Sequence, residues 1–346
     1  MPNKTFCIIL LISALLCGFE GHSQNYLQYN TFITKARLWK TVPCKNDSLK
    51  ASVILSFYDS AFMAVNNKGY LEDYTRAAGK AIKNNDYSRA EKYLSQAYKR
   101  GYTKRETRRG LSTNNKVFLK SENFKRLKKP YRKSRSEYKH VLNRKMRRDM
   151  IRRLIRDQRH RFRKYKPEKQ DRLDSINVAE LMAIYQQTGK LPSIEDVGEK
   201  FMFLIEPPFL HLDTEDAVFF ANILFDMYLC GEYNSISSIL DMLDQVSYRH
   251  GAVVDFDGHH FYIKEEIPGV YNERGIHRQS FGEIKFSVND QDGYKQYTIP
   301  VHDINRTNEV RKMLGLLSIE EECKLNNRII YNELAFEEKF GKFKKH

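Results

Sequence analysis

Apolar residues recur every three or four positions over most of this chain, and the period changes to two only towards its C-terminal end. Ala51–Val65 predicts a helix that stops at Asn66-Asn67-Lys68-Gly69, and two further helical stretches follow, broken at Asn84-Asn85-Asp86. Tyr74, Ala77, Ala78 and Ala81 share one side of the first, and Ala90, Leu94 and Ala97 share one side of the second. Small residues at facing positions let two antiparallel helices approach closely. Residues 24–49 show no clear period and read as a lead-in. Residues 103–140 read as an irregular basic stretch, with a loop over Gly110–Asn115 and with Pro130 breaking any helix through it. A long helix is then expected from about Ser136 to Tyr165, because Leu142, Met146, Met150 and Leu154 recur every four residues and Ile151 and Ile155 widen the stripe.

From Asp174 onward Val178, Leu181, Met182 and Tyr185 predict a helix ending at Thr188-Gly189. Ser193 and Asp196 are spaced as a capping pair, Ala217–Cys230 is a strongly apolar helix closed by Gly231, and Ser235–Tyr248 is another helix. Period-two runs flank Asp257-Gly258 and Asp292-Gly293, a good hairpin signal. Two helices, Asn308–Leu314 and Ser318–Leu334, complete the pattern, followed by a basic tail with Lys342, Lys344 and Lys345. The expected class is α+β and predominantly helical. N-terminal repeat-like helical hairpins precede a long basic helix and a C-terminal helical domain with β-hairpins. The expected organisation is a leader over 1–23, a repeat-like region with a basic linker over 24–135, and an α+β domain over 136–346.

The leader changes the picture most. Lys4 precedes the apolar run Phe6–Leu16, which is shorter than the roughly 20 residues a bilayer core requires. Gly21 and Ser23 are the small residues a signal peptidase reads, so cleavage after Ser23 would place Gln24 at the mature N-terminus of a periplasmic or secreted protein. The alternative is lipidation at Cys17, which follows Leu16 where such processing prefers a small residue. Without the leader, only Cys44, Cys230 and Cys323 remain, too few for a disulfide framework. No transmembrane segment is expected after signal removal.

The net charge of +16 is unevenly spread: Lys99–Lys166 holds 28 Lys and Arg against five Asp and Glu, and the remaining 31 bases and 38 acids leave the flanks slightly acidic. Arg144, Lys145, Arg147, Arg148, Arg152 and Arg153 form the cationic side of the expected basic helix. This side reads either as a solvated face or as a surface for an anionic envelope component or an acidic protein. Nucleic acid is the weaker reading, since attraction to phosphate follows from charge alone.

Two resemblances follow from these residues. Tyr74, Ala78, Ala90, Leu94 and Ala97 fall at the positions of a tetratricopeptide repeat, which residues 71–104 resemble, although Gly101-Tyr102 stands where that family has a Pro. Asp157-Gln158-x-x-Arg161, the helix Asn177–Tyr185, Gly189-x-x-Pro192, Val197-Gly198, Leu243-Asp244 and the string Asp303, Asn308, Arg311, Gly315-Leu316 together resemble a bacterial domain of unknown function that follows such repeats in exported proteins. Leu191 and His259-His260 depart from that pattern, where a Trp and a Gln are usual. The resemblance implies an architecture and no established reaction.

Candidate catalytic side chains are Asp157, Arg161, His211, Asp244, Asp303 and Arg311. His211 and Asp213 would share a face if extended, whereas the adjacent His259 and His260 would point to opposite faces of a strand. No H-E-x-x-H, C-x-x-C or G-x-S-x-G motif occurs. No metal or cofactor is therefore expected. Asp157 with Arg161 reads first as a helix-surface ion pair, and Asp303 as a helix cap or a neutraliser of Arg311. The leading expectation is an exported cell-envelope binding or scaffold protein that contacts an anionic or protein partner. The competing one is an envelope hydrolase or transferase with its polar site in the C-terminal domain.

Overall fold

The computed structural model describes residues 25–110, 116–158, 167–206, 209, 212–266, 279–283, 285–290, 293–298, 301–326 and 328–330. The leader and Cys17, together with Arg161, His211, Asp292 and the basic tail, lie outside the described residues. Helices account for 72% of the structure, which makes the class predominantly helical with antiparallel strands in the C-terminal part. Packing divides the chain into two compact units. The first runs to Leu142 and includes Gly198–Lys200 and Asp226–Asn234, and the second holds the remainder from Asn143.

The first unit opens with a helix where the sequence reads as a lead-in: α1 spans residues 25–38 and buries Tyr26, Tyr29, Ile33 and Ala36. Their spacing of three, four and three is helical, but the stripe is half tyrosine and sits among polar residues. α1 pairs with α2 (Asp47–Ala64), and α3 (Leu71–Lys83) pairs with α4 (Tyr87–Lys99). Asn46 caps α2 by accepting from the Leu49 amide, and Asp86 caps α4 by accepting from that of Arg89. The alanines at 77, 78, 81, 90 and 97 are all essentially buried, as the facing-position argument requires. Phe62 of α2 stacks on Tyr74 of α3 with centroids 3.9 Å apart, and burying such a ring contributes about 1.5–3 kcal/mol.

Residues 103–110 and 116–140 are not irregular. They form α5 (Lys104–Gly110), α6 (Lys116–Lys120), α7 (Glu122–Arg126) and α8 (Lys128–Val141), while the expected loop lies, beyond Gly110, outside the described residues. Pro130 does not break α8, because it occupies the third helical position, in the first turn, where an amide hydrogen has no intrahelical acceptor. Buried Phe118, Phe124 and Leu127 hold these short helices together. Gly198 belongs to the same unit with φ of +87°, and a Cβ there would lie 2.1 Å from the Tyr138 hydroxyl, so conformation and space both require glycine.

In the second unit the expected helix Ser136–Tyr165 is divided. Leu142 is extended, and the Asn143 side chain accepts from the Met146 amide at 3.0 Å, starting α9 (Arg144–Gln158) afresh. The buried face of α9 is Met150, Arg153 and Asp157, while Ile155 is 65% exposed. The apolar stripe is thus displaced by polar side chains that find partners on α10 (Pro167–Thr188). Ser193 and Asp196 form the expected reciprocal cap around α11 (Ile194–Val197). Asp213 caps α12 (Thr214–Leu229), and Ser235 caps α13 (Ile236–His250), which ends at Gly251 with φ of +70°.

Strands β1 (Ala252–Phe256) and β2 (Phe261–Glu266) pair antiparallel across Asp257-Gly258, with Phe256 opposite Phe261 and a bulge at Val253/Val254. β3 (Lys285–Asp290) and β4 (Gly293–Thr298) form the second antiparallel pair. Helices α14 (Ile304–Met313) and α15 (Ile319–Leu325) follow. The expected helix to Leu334 is corrected here: it stops at Leu325, and β5 (Ile329–Ile330) pairs parallel to β4. Phe225, Phe256, Phe261 and Phe281 form an aromatic core, with neighbouring ring centroids 4.9–5.8 Å apart.

Candidate functional site

Helix α9 carries the cationic row expected from the sequence, but not all of its members face solvent. Arg153 is 6% exposed, and its Nε donates to Glu180 at 3.0 Å. Arg156 donates to Asn177 and to Glu180, both at 2.8 Å. Burial pushes the Glu180 carboxyl up, and the hydrogen bonds from Arg156 and Arg153 more than reverse this, leaving it below the ordinary glutamate value. The Arg147 guanidinium lies 3.3 Å from the Phe201 ring centroid, a cation–π contact. Arg152 reaches Asp149 at 3.4 Å. Arg144, Lys145 and Arg148 remain exposed, with no ion pair among the described residues. The anion-facing row is therefore shorter than the sequence implies, since Arg153 and Arg147 serve packing.

Asp157 is fully buried rather than on a helix surface, and accepts from Asn177 Nδ2 at 3.2 Å and from Gln158 Nε2 at 2.7 Å. Asp244, also fully buried on α13, accepts three backbone amides, those of Ser280 (2.8 Å), Phe281 (2.6 Å) and Glu283 (2.7 Å). Burial raises its carboxyl to about 8, against the opposing pull of those amides. Arg311 holds the same segment from α14: its Nε donates to Leu317 O at 2.6 Å, and its NH1 donates to Phe281 O and to Glu283, both at 2.8 Å. NH2 bonds Glu322.

Two of the candidate catalytic residues thus converge on Ser280–Glu283, where they fasten backbone. Asp303 caps α14 through the amides of Asn305 and Arg306, and it is Glu283 and Glu322 that neutralise Arg311. Arg306 instead shares its Nε hydrogen between the two oxygens of Asp255, at 2.9 and 3.1 Å, and its NH2 donates to Phe256 O at 2.7 Å. A cavity of about 30 Å³ beside this pair is lined by Asp303, but not by Asp157, Asp244 or Arg311. A larger depression of about 640 Å³ between α10, the start of α12 and the end of α13 is lined by Asp171, Asp174, Asp213, Asp216, Met182 and Arg249 among others, and by none of those four. His259 and His260 are exposed at the hairpin turn, where their amides donate to Asp257. Among the described residues no group of three or more His, Cys, Asp and Glu could hold a metal ion, and Cys44, Cys230 and Cys323 are free thiols.

The first unit contains charged centres that sequence reasoning missed. Glu199 is 6% exposed; its Oε1 accepts the Leu71 amide at the start of α3 at 2.5 Å, and its Oε2 lies 3.3 Å from Arg100 NH1. Burial raises its carboxyl to about 7, against the pull of Arg100 and the Leu71 amide. Asp73, also buried on α3, accepts from the Tyr29 hydroxyl at 2.7 Å. On α5 and α8, Lys104, Arg108, Lys128 and Arg132 have no ion pair among the described residues. Only the density of bases in the sequence hinted at that group. No helix of the described residues is long and apolar enough to cross a membrane. Comparison of the chain with family models, with curated proteins and with solved structures returns no match.

Proposed function

We infer that the protein is an exported cell-envelope binding or scaffold protein that contacts an anionic partner through its basic helical surface. The observation that carries this reading is the outer row of α9, where Arg144, Lys145 and Arg148 stand exposed with no ion pair among the described residues, while the other bases of the helix are paired or packed. Positive charge that folding does not consume is available to a ligand. The signal-like residues 1–23 support the export part of the reading, and the α3–α4 pair supports a repeat-like helical module. The resemblance to tetratricopeptide-like repeats followed by a bacterial domain of unknown function belongs to the same reading. The competing hydrolase or transferase loses support, because Asp244 spends its oxygens on backbone amides, Arg311 is taken up by backbone carbonyls and by Glu283 and Glu322, and Asp157 lines neither cavity.

The test is affinity capture of the full chain from envelope extract at low salt, alongside the variant Arg144→Glu/Lys145→Glu/Arg148→Glu. Captured partners should fall about tenfold or more on charge reversal, and should fall for the native chain as salt rises, since exposed charges are screened within about 10 Å at 0.1 M. Equal capture by both chains at low salt would remove α9 from the mechanism. Intact-mass analysis of exported protein should find a chain beginning at Gln24. A mass beginning at Cys17 with added acyl chains would make the protein membrane-tethered, and retention of Met1 would defeat export.

A further inference from the structure

Tyr98 of α4 fastens α5 to α8. It is 1% exposed, its hydroxyl lies 3.2 Å from Thr107 Oγ1 on α5, and its ring meets Tyr131 of α8 edge-on at 5.0 Å. Lys104 is drawn over the buried Phe124 ring of α7 at 5.4 Å, just before α8 begins. On each of the two helices the bases are four residues apart, Lys104 with Arg108 and Lys128 with Arg132, so each pair projects from one side, one turn apart. These four cations come together with no acid among them. Glu106 of α5 is taken by Lys200 at 2.6 Å and by Thr103, Glu122 by Lys125, Glu91 by Arg126 and Glu137 by Lys133. The crowding registers on Lys104, whose ammonium is pushed down by burial and then by Arg108, Lys128 and Arg132.

We propose that Lys104, Arg108, Lys128 and Arg132 form a binding site for a compact, multiply charged phosphate group, either a phosphate monoester or a condensed phosphate. Two arginines supply planar forks that match phosphate oxygens, and two lysines supply point charges, so several negative charges within a small volume satisfy the group where a single carboxylate would not. Phe124 at 5% and Tyr98 at 1% exposure lie beneath the cations and offer no free face to a nucleobase, and half-buried Tyr131 is engaged by Tyr98 edge-on at 5.0 Å and by the Arg135 guanidinium at 6.0 Å from its ring. The ligand is therefore recognised through phosphate and not through a base. This site deepens the reading that the chain binds anions and rests on it, but it uses different residues in a different unit from α9.

The experiment is calorimetric titration of the full chain with inorganic tripolyphosphate. It compares the native protein, the variant Lys104→Gln/Arg108→Gln/Lys128→Gln/Arg132→Gln and the control Lys45→Gln/Lys83→Gln/Lys312→Gln, three exposed lysines outside both basic surfaces. The native chain should bind saturably, the four-site variant about tenfold or more weakly, and the lysine control within about twofold. If the four-site variant fails to fold, the three exposed substitutions without Lys104→Gln serve in its place. Absence of saturable binding, or equal weakening in both variants, would overturn the site. Tripolyphosphate binding with undiminished envelope capture by the α9 variant would keep this site and sink the α9 reading; the converse would do the reverse. Co-sedimentation with phosphatidylcholine vesicles containing phosphatidic acid, reversed by tripolyphosphate, assigns the phosphate to a lipid headgroup, and titration without such co-sedimentation assigns it to a free phosphate. Stronger co-sedimentation with phosphatidylserine at equal mole fraction would overturn the preference for a phosphate monoester.

Discussion

Replacing Asp244 with alanine should destabilise the second unit by about 4 kcal/mol or more. The Asp244 carboxyl group is the acceptor for the amides of Ser280, Phe281 and Glu283, and all three residues are buried. Each donor left without a partner costs about 1–3 kcal/mol, and the cavity left by the side chain adds to that. Asp244→Asn should cost less, because one amide oxygen can still accept from Ser280 and Phe281 while the new NH2 faces the Glu283 donor. Arg311→Met removes the opposing hold on the same segment, taking its guanidinium from Glu283 and from Glu322, which keeps Arg328 at 3.4 Å, and breaking a buried pair this way costs about 3–5 kcal/mol. Hydrogen exchange supplies the site-specific reading: the three amides should lose protection in Asp244→Ala, ahead of those in α13. Denaturant titration of the same variant showing a loss of about 1 kcal/mol or less would mean that the segment has other sufficient anchors.

How much of this was legible depended on the range of each interaction. The α3–α4 pair followed from alanine spacing, the Ser193–Asp196 cap from two residues three apart, and the Asp257-Gly258 hairpin from a local change of period. Each of these is decided within one or two turns of chain. α1 escaped because tyrosine counts as polar or aromatic decoration until a partner buries it, and Tyr26 and Tyr29 are buried by residues such as Tyr70. The face of α9 was misassigned for a related reason. Periodicity places Ile155 inside, but α10 presents Glu180 and Asn177, so Arg153 and Asp157 gain more by facing it than an isoleucine would. The candidate site divided in the same way. The abundance of bases was plain, but which of them folding would consume depended on Glu180, Phe201 and Glu91, residues whose proximity no local pattern encodes. Asp244 was singled out, and its three amide partners lie 36–39 residues away. Its role as a backbone anchor became visible only in three dimensions.

The first unit should lose stability as the solution is taken from about pH 4.5 to about pH 7, and Glu199→Gln should remove most of that dependence. Burial holds the Glu199 proton up to about 7 in the folded chain, against 4.5 for an ordinary glutamate. Between these values the folded state binds more protons than the unfolded one, so the contribution is present in full below about 4.5 and is lost as pH rises through 7. The displacement corresponds to about 3 kcal/mol. The groups around this carboxylate decide its behaviour: Arg100 on α4 and the Leu71 amide favour the charge, while Asp73 on α3 opposes it, and Tyr26, Tyr70 and Tyr74 supply the apolar walls. Lys200, the neighbouring base, is committed to Glu106. Glutamine keeps an acceptor for the Leu71 amide and carries no proton to release, so native and variant chains should be closest in stability near pH 5 and diverge towards pH 7 and above, with the variant the more stable. Chemical denaturation of both chains across that range measures the difference directly, and the subtraction cancels other buried carboxyls such as Asp73. Parallel curves for the two chains would mean that Glu199 is ionised throughout, and that Arg100 and the amide of Leu71 outweigh burial.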